Sequence, residues 1–143
     1  MSTEDNRALL RRYMSEVWEH GEPEAVKRFV APSYRRHTSP ATQPLDLAGQ
    51  IQRLKGFREA FPDIGIQVEN VIAEDDSIAL RSTLRGTHLG QFLGIPPTGR
   101  KVTVNVIDVI RIEDGLFAEH WGGPDLFDLL RQLGATFEAA KIT

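Results

Sequence analysis

The sequence predicts an α+β domain in which one curved antiparallel sheet wraps around N-terminal helices and a short helix closes the chain. Three observations predict it. Apolar residues recur at helical spacing as far as Phe61, the period then falls to two, and turn signals divide the second half into four strands.

Residues 3–20 read as an amphipathic helix, with Leu9, Leu10, Tyr13, Met14 and Val17 on one side and Arg7, Arg11, Arg12, Glu16 and Glu19 on the other. Ser2 followed by Asp5 is a start signal, and Gly21 a stop. Pro23 opens a short helix that ends before Pro32. The stretch Tyr34-Arg35-Arg36-His37 then reads as a loop. A third helix is expected from Asp46 to Phe61, carrying Leu47, Ile51, Leu54 and Phe57 on one face, and Pro62 marks its end. Ile64, Ile66 and Val68 begin a strand whose alternation breaks at Val71-Ile72. After the turn Glu74-Asp75-Asp76, residues from Ile78 to His88 alternate again, with Leu80, Ser82, Leu84 and Gly86 on one face. Gly94-Ile95-Pro96-Pro97-Thr98-Gly99 can only be a loop. Lys101 to Ile112 is a long strand, Glu113-Asp114-Gly115 a hairpin turn, and Leu116 to Trp121 the returning strand. Pro124 opens a helix that Gly134 closes, and the last nine residues read as a tail.

The chain has 143 residues, of which 41% are hydrophobic and 26% charged, and residues 1–143 read as one domain. A chain of this size buries about two-thirds of its unfolded surface and folds without cross-links. Cysteine is absent, so disulfides and thiolate metal sites are excluded. No apolar run approaches a membrane span, and the acidic N-terminus is unlike a secretory signal; a cytoplasmic location is expected. The net charge of -3 and the lack of basic clusters argue against nucleic acid as a partner.

A curved sheet closed by helices leaves a conical space suited to a small apolar ligand steered by a few polar groups. Asp108 shares a strand face with Val104, Val106 and Ile110, so a carboxylate interrupts an apolar row. Burial there would raise its pKa and suit it to general acid/base work. The alternative is a twist that leaves Asp108 on the surface, bonded to Arg111 or Arg85. His120, with Leu116 and Ala118 on its side, is the second proton carrier, or else a core-edge histidine bonded to a carbonyl. Trp121 faces the other way. His88 follows Leu84 and Gly86 and is placed at the cavity mouth, with His37 in the loop nearby, while Tyr13, Leu84 and Val106 supply apolar lining. A metal site built from His88, Asp108 and His120 has no support in their spacing, and no metal is expected.

The stretch Gly86-Thr87-His88-Leu89-Gly90-Gln91-Phe92-Leu93-Gly94-Ile95-Pro96-Pro97-Thr98-Gly99-Arg100 resembles the central signature of the SnoaL-like polyketide cyclase family. The strand Val104 to Ile112, the turn Glu113-Asp114-Gly115, Glu119-His120-Trp121, Pro124-Asp125 and Leu130-Arg131-Gln132-Leu133-Gly134 follow in the family's order. The resemblance implies the NTF2-like cone and a homodimer formed through the sheet. It also implies intramolecular aldol ring closure on a polyketide ester without metal or organic cofactor. The family's acid/base aspartate falls on Gly122, its pocket histidine on Asp108, and an asparagine near Arg36, with His37 adjacent. Asp125 matches a separate aspartate and His88 the family's histidine. Fold and cavity are thus expected to carry over with altered catalytic groups. Two outcomes follow: cofactor-independent acid/base chemistry by Asp108 and His120 or His88 on a hydrophobic carbonyl compound, as cyclisation or isomerisation, or a non-catalytic binding protein. A relative associated with hydroxylation is a third.

Overall fold

The computed structural model describes residues 2–137. Helix α1 spans Thr3–Tyr13, and its start is a capping box: the Asp5 amide donates to Ser2 Oγ at 3.0 Å and the Ser2 amide to Asp5 Oδ2 at 3.1 Å. The helix expected to run to residue 20 widens into a π-helical segment over Met14–Glu19. A 3₁₀ helix at Pro23–Arg28 follows. Helix α2 covers Leu47–Ala60, with Asp46 Oδ1 accepting from the Gly49 amide at 2.9 Å. The closing helix α3, Leu126–Gln132, is capped by Asp125 rather than opened by Pro124.

Five strands, β1 (Val30–His37), β2 (Gly65–Glu74), β3 (Ser77–Thr87), β4 (Lys101–Glu113) and β5 (Leu116–Pro124), form one sheet in the order β1-β5-β4-β3-β2. Four of them make the expected antiparallel meander. The fifth, β1, corrects the loop reading of residues 34–37 and pairs parallel to β5, with Arg36 beside His120 and His37 beside Trp121. An arginine at an inward strand position had hidden its alternation: Tyr34 and Arg36 are buried, while Arg35 is exposed. The broken alternation of β2 is a bulge between Val68 and Asn70, which turns Val71 inward and leaves Ile72 exposed.

The helices cover one face of the curved sheet. Tyr13, Val17, Phe29, Ile110 and Phe117 belong to one core cluster, and Phe57, Phe61, Leu84, Val104 and Leu129 to another; Trp18 packs against both. The stabilisation is mainly this apolar burial, at roughly 1.5–3 kcal/mol for each large side chain. The expected tail lies, from residue 138 on, outside the described residues. Among the described residues no helix is long and apolar enough to cross a membrane.

Candidate active site

Strand β4 alternates without interruption around Asp108: Val104, Val106, Ile110 and Ile112 are buried, and the residues between them face outward. Asp108 therefore points inward, its side chain 14% exposed. The surface alternative fails on its partners too, since Arg111 pairs with Glu119 and Glu113, and Arg85 bonds Gln67. On β5, Ile110 faces His120 and Asp108 faces Gly122 across the ladder, so Asp108 and His120 are diagonal neighbours on one face. Their side chains meet at 2.8 Å, His120 Nε2 to Asp108 Oδ1. An ionised carboxylate can only accept, so Nε2–H donates to it.

Burial pushes the pKa of His120 below its ordinary value, against the opposing pull of the Asp108 hydrogen bond; the Arg36 charge adds to the lowering. The imidazole of His120 is thereby held toward its neutral form. Tyr13 is shifted upward, first by burial and then by the charge of Asp108, and stays a neutral phenol.

The dyad lines a narrow cavity of about 30 Å³, room for about one water. Tyr13, Leu84 and Val106 also line it. Arg36, Arg53, Phe57, Gly123 and Pro124 line both this cavity and a wider vestibule of about 450 Å³, whose wall also includes Gln91, Phe92 and Leu126. The vestibule matches the size of small-molecule sites, and the narrow cavity forms its chemical end.

Two histidines lie elsewhere. His37 sits on the outer face of β1, bonded to Glu119 at 2.9 Å and stacked on Trp121, because the strand that carries it turns Arg36 inward instead. His88 is buried but absent from the wall of either space. Its Nδ1 accepts from the Thr98 amide at 3.1 Å, and its ring packs on Phe61. It braces the loop between β3 and β4, so it neither stands at the mouth nor joins Asp108 and His120. Gly90 in the same loop passes so close to α2 that a Cβ would lie 2.1 Å from the Glu59 carbonyl oxygen.

Sequence reasoning missed four polar lining residues: Arg36, Gln50, Arg53 and Ser82. Gln50, Arg53 and Phe57 are spaced three and four apart on α2, a signal that an apolar-face reading passes over. Ser82 lies on the Leu80–Leu84 face already recognised. Arg36 was marked only by the resemblance, near the family's asparagine; with β1 read as loop, its inward aim had no signal.

Comparison with known proteins agrees with this geometry. The sequence profile of the SnoaL-like polyketide cyclases matches residues 8–133. Aklanonic acid methyl ester cyclase DnrD of Streptomyces peucetius is 31% identical over 134 residues, 88% of each chain. The solved structure of TsrD from Streptomyces laurentii superposes with a TM-score of 0.83 at 31% identity, covering 95% of this chain and 99% of that one. AclR, a candidate hydroxylase from Streptomyces galilaeus, gives 0.82 at 29% identity, covering 93% and 83%. With its profile matched from the first helix to the last, and with a cone whose inner face holds a carboxylate–imidazole pair, the chain belongs to the SnoaL-like polyketide cyclase family.

Proposed function

We propose that this chain is a cofactor-independent cyclase that closes a ring on a hydrophobic polyketide-like carbonyl compound, with the Asp108–His120 dyad as its acid/base unit. The observation that carries the reading is the 2.8 Å contact between these two side chains in the narrow cavity. Asp108 Oδ1 is committed to His120, which leaves Oδ2 to take a carbon-bound proton next to a carbonyl group. The carbanion attacks a second carbonyl within the same molecule, forming the ring carbon–carbon bond. The dyad then returns the proton to the oxygen that gains charge, so no net proton is consumed. The vestibule holds the body of the substrate, while Tyr13, Leu84 and Val106 wall the narrow cavity around Asp108 and keep bulk water from the carbanion. Such a base typically contributes about 10²–10⁴-fold. The relatives named as methyl ester cyclases support ring closure as the reaction type.

Gly122, at the position of the family's aspartate, favours a second reading as a binding protein without turnover. Deuterium exchange separates the two. In heavy water, the cyclase should speed isotope uptake at the acidic carbon between two carbonyl groups of an aromatic polyketide, offered both as free acid and as methyl ester. Binding of that compound with uptake at the buffer rate would establish the binding protein instead.

The outer face of β4 and β5 supports a homodimer: Ile107, Val109 and Trp121 are exposed side by side on it. Here the apolar strip is the proposed dimer contact, and the site opens on the opposite face of the sheet.

A further inference from the structure

Five ionisable side chains line the inner cavity: Arg36, Arg53, Asp108, His120 and the neutral phenol Tyr13. With His120 neutral, two guanidiniums stand against one carboxylate, and that carboxylate is already held by His120. Arg36 is 1% exposed. Its Nη2 donates to the Gly122 carbonyl, while Nε and Nη1 find no acceptor among the described residues. Arg53 reaches the same place from α2, its guanidinium over the Phe57 ring at 5.0 Å. A Cβ built on Gly123 would lie 2.9 Å from Arg36 Nη2 and 3.2 Å from Arg53 Nη2, so the two cations close on one point at the neck between cavity and vestibule. Burial and the neighbouring charge of Arg36 hold the Arg53 pKa down to about 10.

Arg36 is a buried cation held, among the described residues, only by a carbonyl, and the half-buried Arg53 sets a second like charge beside it; both features are costly. Such an arrangement is stable in use only if something anionic completes it. The neutral carbonyl of an ester accepts hydrogen bonds but leaves the excess positive charge in place. A carboxylate removes it, and planar guanidinium groups match a carboxylate well.

We infer that Arg36 and Arg53 form a carboxylate-binding site at the neck of the cavity, and that the substrate enters as a free acid rather than as an ester. The inference rests on the proposed function, and names the substrate class of that same site. It also separates this chain from the relatives named for methyl esters. The carboxylate docks on the two arginines, and the rest of the molecule lies across the vestibule with its reacting carbon turned toward Asp108.

The test uses 9,10-anthraquinone-2-carboxylate and its methyl ester as probes, with calorimetric titration of the whole protein at pH 8. The wild type should bind the acid at least about tenfold more tightly than the ester. Arg53→Gln, shown by circular dichroism to be folded, should lose most of that preference, its affinity for the acid falling far more than its affinity for the ester. Arg53→Lys should keep part of it. Equal binding of acid and ester by the wild type, or a preference that survives in Arg53→Gln, overturns the carboxylate site and leaves the cyclase reading standing. Binding of neither probe overturns both.

Discussion

Position 122 has no room for a side chain. Gly122 takes φ +96°, and a Cβ there would sit 2.1 Å from the Ile107 carbonyl oxygen. Restoring the family's aspartate by Gly122→Asp should therefore not restore its chemistry. The backbone conformation alone costs about 1–3 kcal/mol for a non-glycine residue, before the clash is relieved. Urea denaturation should show this loss, with no gain in turnover. In the proposed cyclase the acid/base role falls to Asp108, whose inward aim was legible from the apolar residues two positions either side. Its pairing with His120 was not, because a diagonal contact depends on the β4–β5 register. That register also gives a pH dependence. The unfolded chain takes up a proton at His120 near pH 6.5, which the folded chain resists. Stability contributed there is present above that pH and is lost as the pH falls through and below it. Thermal unfolding between pH 8 and pH 5 should show the decline, and His120→Gln should flatten it. A decline of equal size in that variant would place its origin elsewhere.

Among the elements, β1 was hidden, and His88, expected at the cavity mouth, instead packs within the loop between β3 and β4. Parallel pairing of β1 with the last strand joins residues more than eighty positions apart, which local pattern cannot signal. It brings Arg36, the least expected residue of the site, next to His120. The loop was recognisable as a motif, but a motif identifies residues without saying what they touch. His88 holds Thr98 on one side and Phe61 on the other, and the amides of Leu89 and Gly90 donate to the Ala60 carbonyl, tying the loop to the end of α2. Its role is support. His88→Ala should cost about 2–3 kcal/mol in urea, through lost packing and hydrogen bonds. Turnover per folded molecule should fall far less than on loss of Asp108. A proportionate fall in turnover with unchanged stability would make His88 a participant after all.

For the whole molecule, the sheet's two faces differ: the inner face carries the Asp108–His120 pair, and the outer face presents Ile107, Val109 and Trp121. Sedimentation should find a dimer in the wild type and a monomer in Trp121→Glu, since a buried carboxylate opposite its copy is strongly unfavourable. An unchanged dimer would move the contact elsewhere. The cone itself was legible from periodicity alone, because each element has one apolar face and the layers have few ways to cover it. What the sequence left open was how the cavity's charges balance, which depends on elements distant in the chain. In the proposed cyclase Asp108 is the base in this cavity. The most direct measurement is the rate of ring closure by Asp108→Asn on an aromatic polyketide acid or ester that the wild type converts. Loss of about 10²-fold or more, with binding and folding nearly intact, is the predicted result. Turnover equal to the wild type would contradict it.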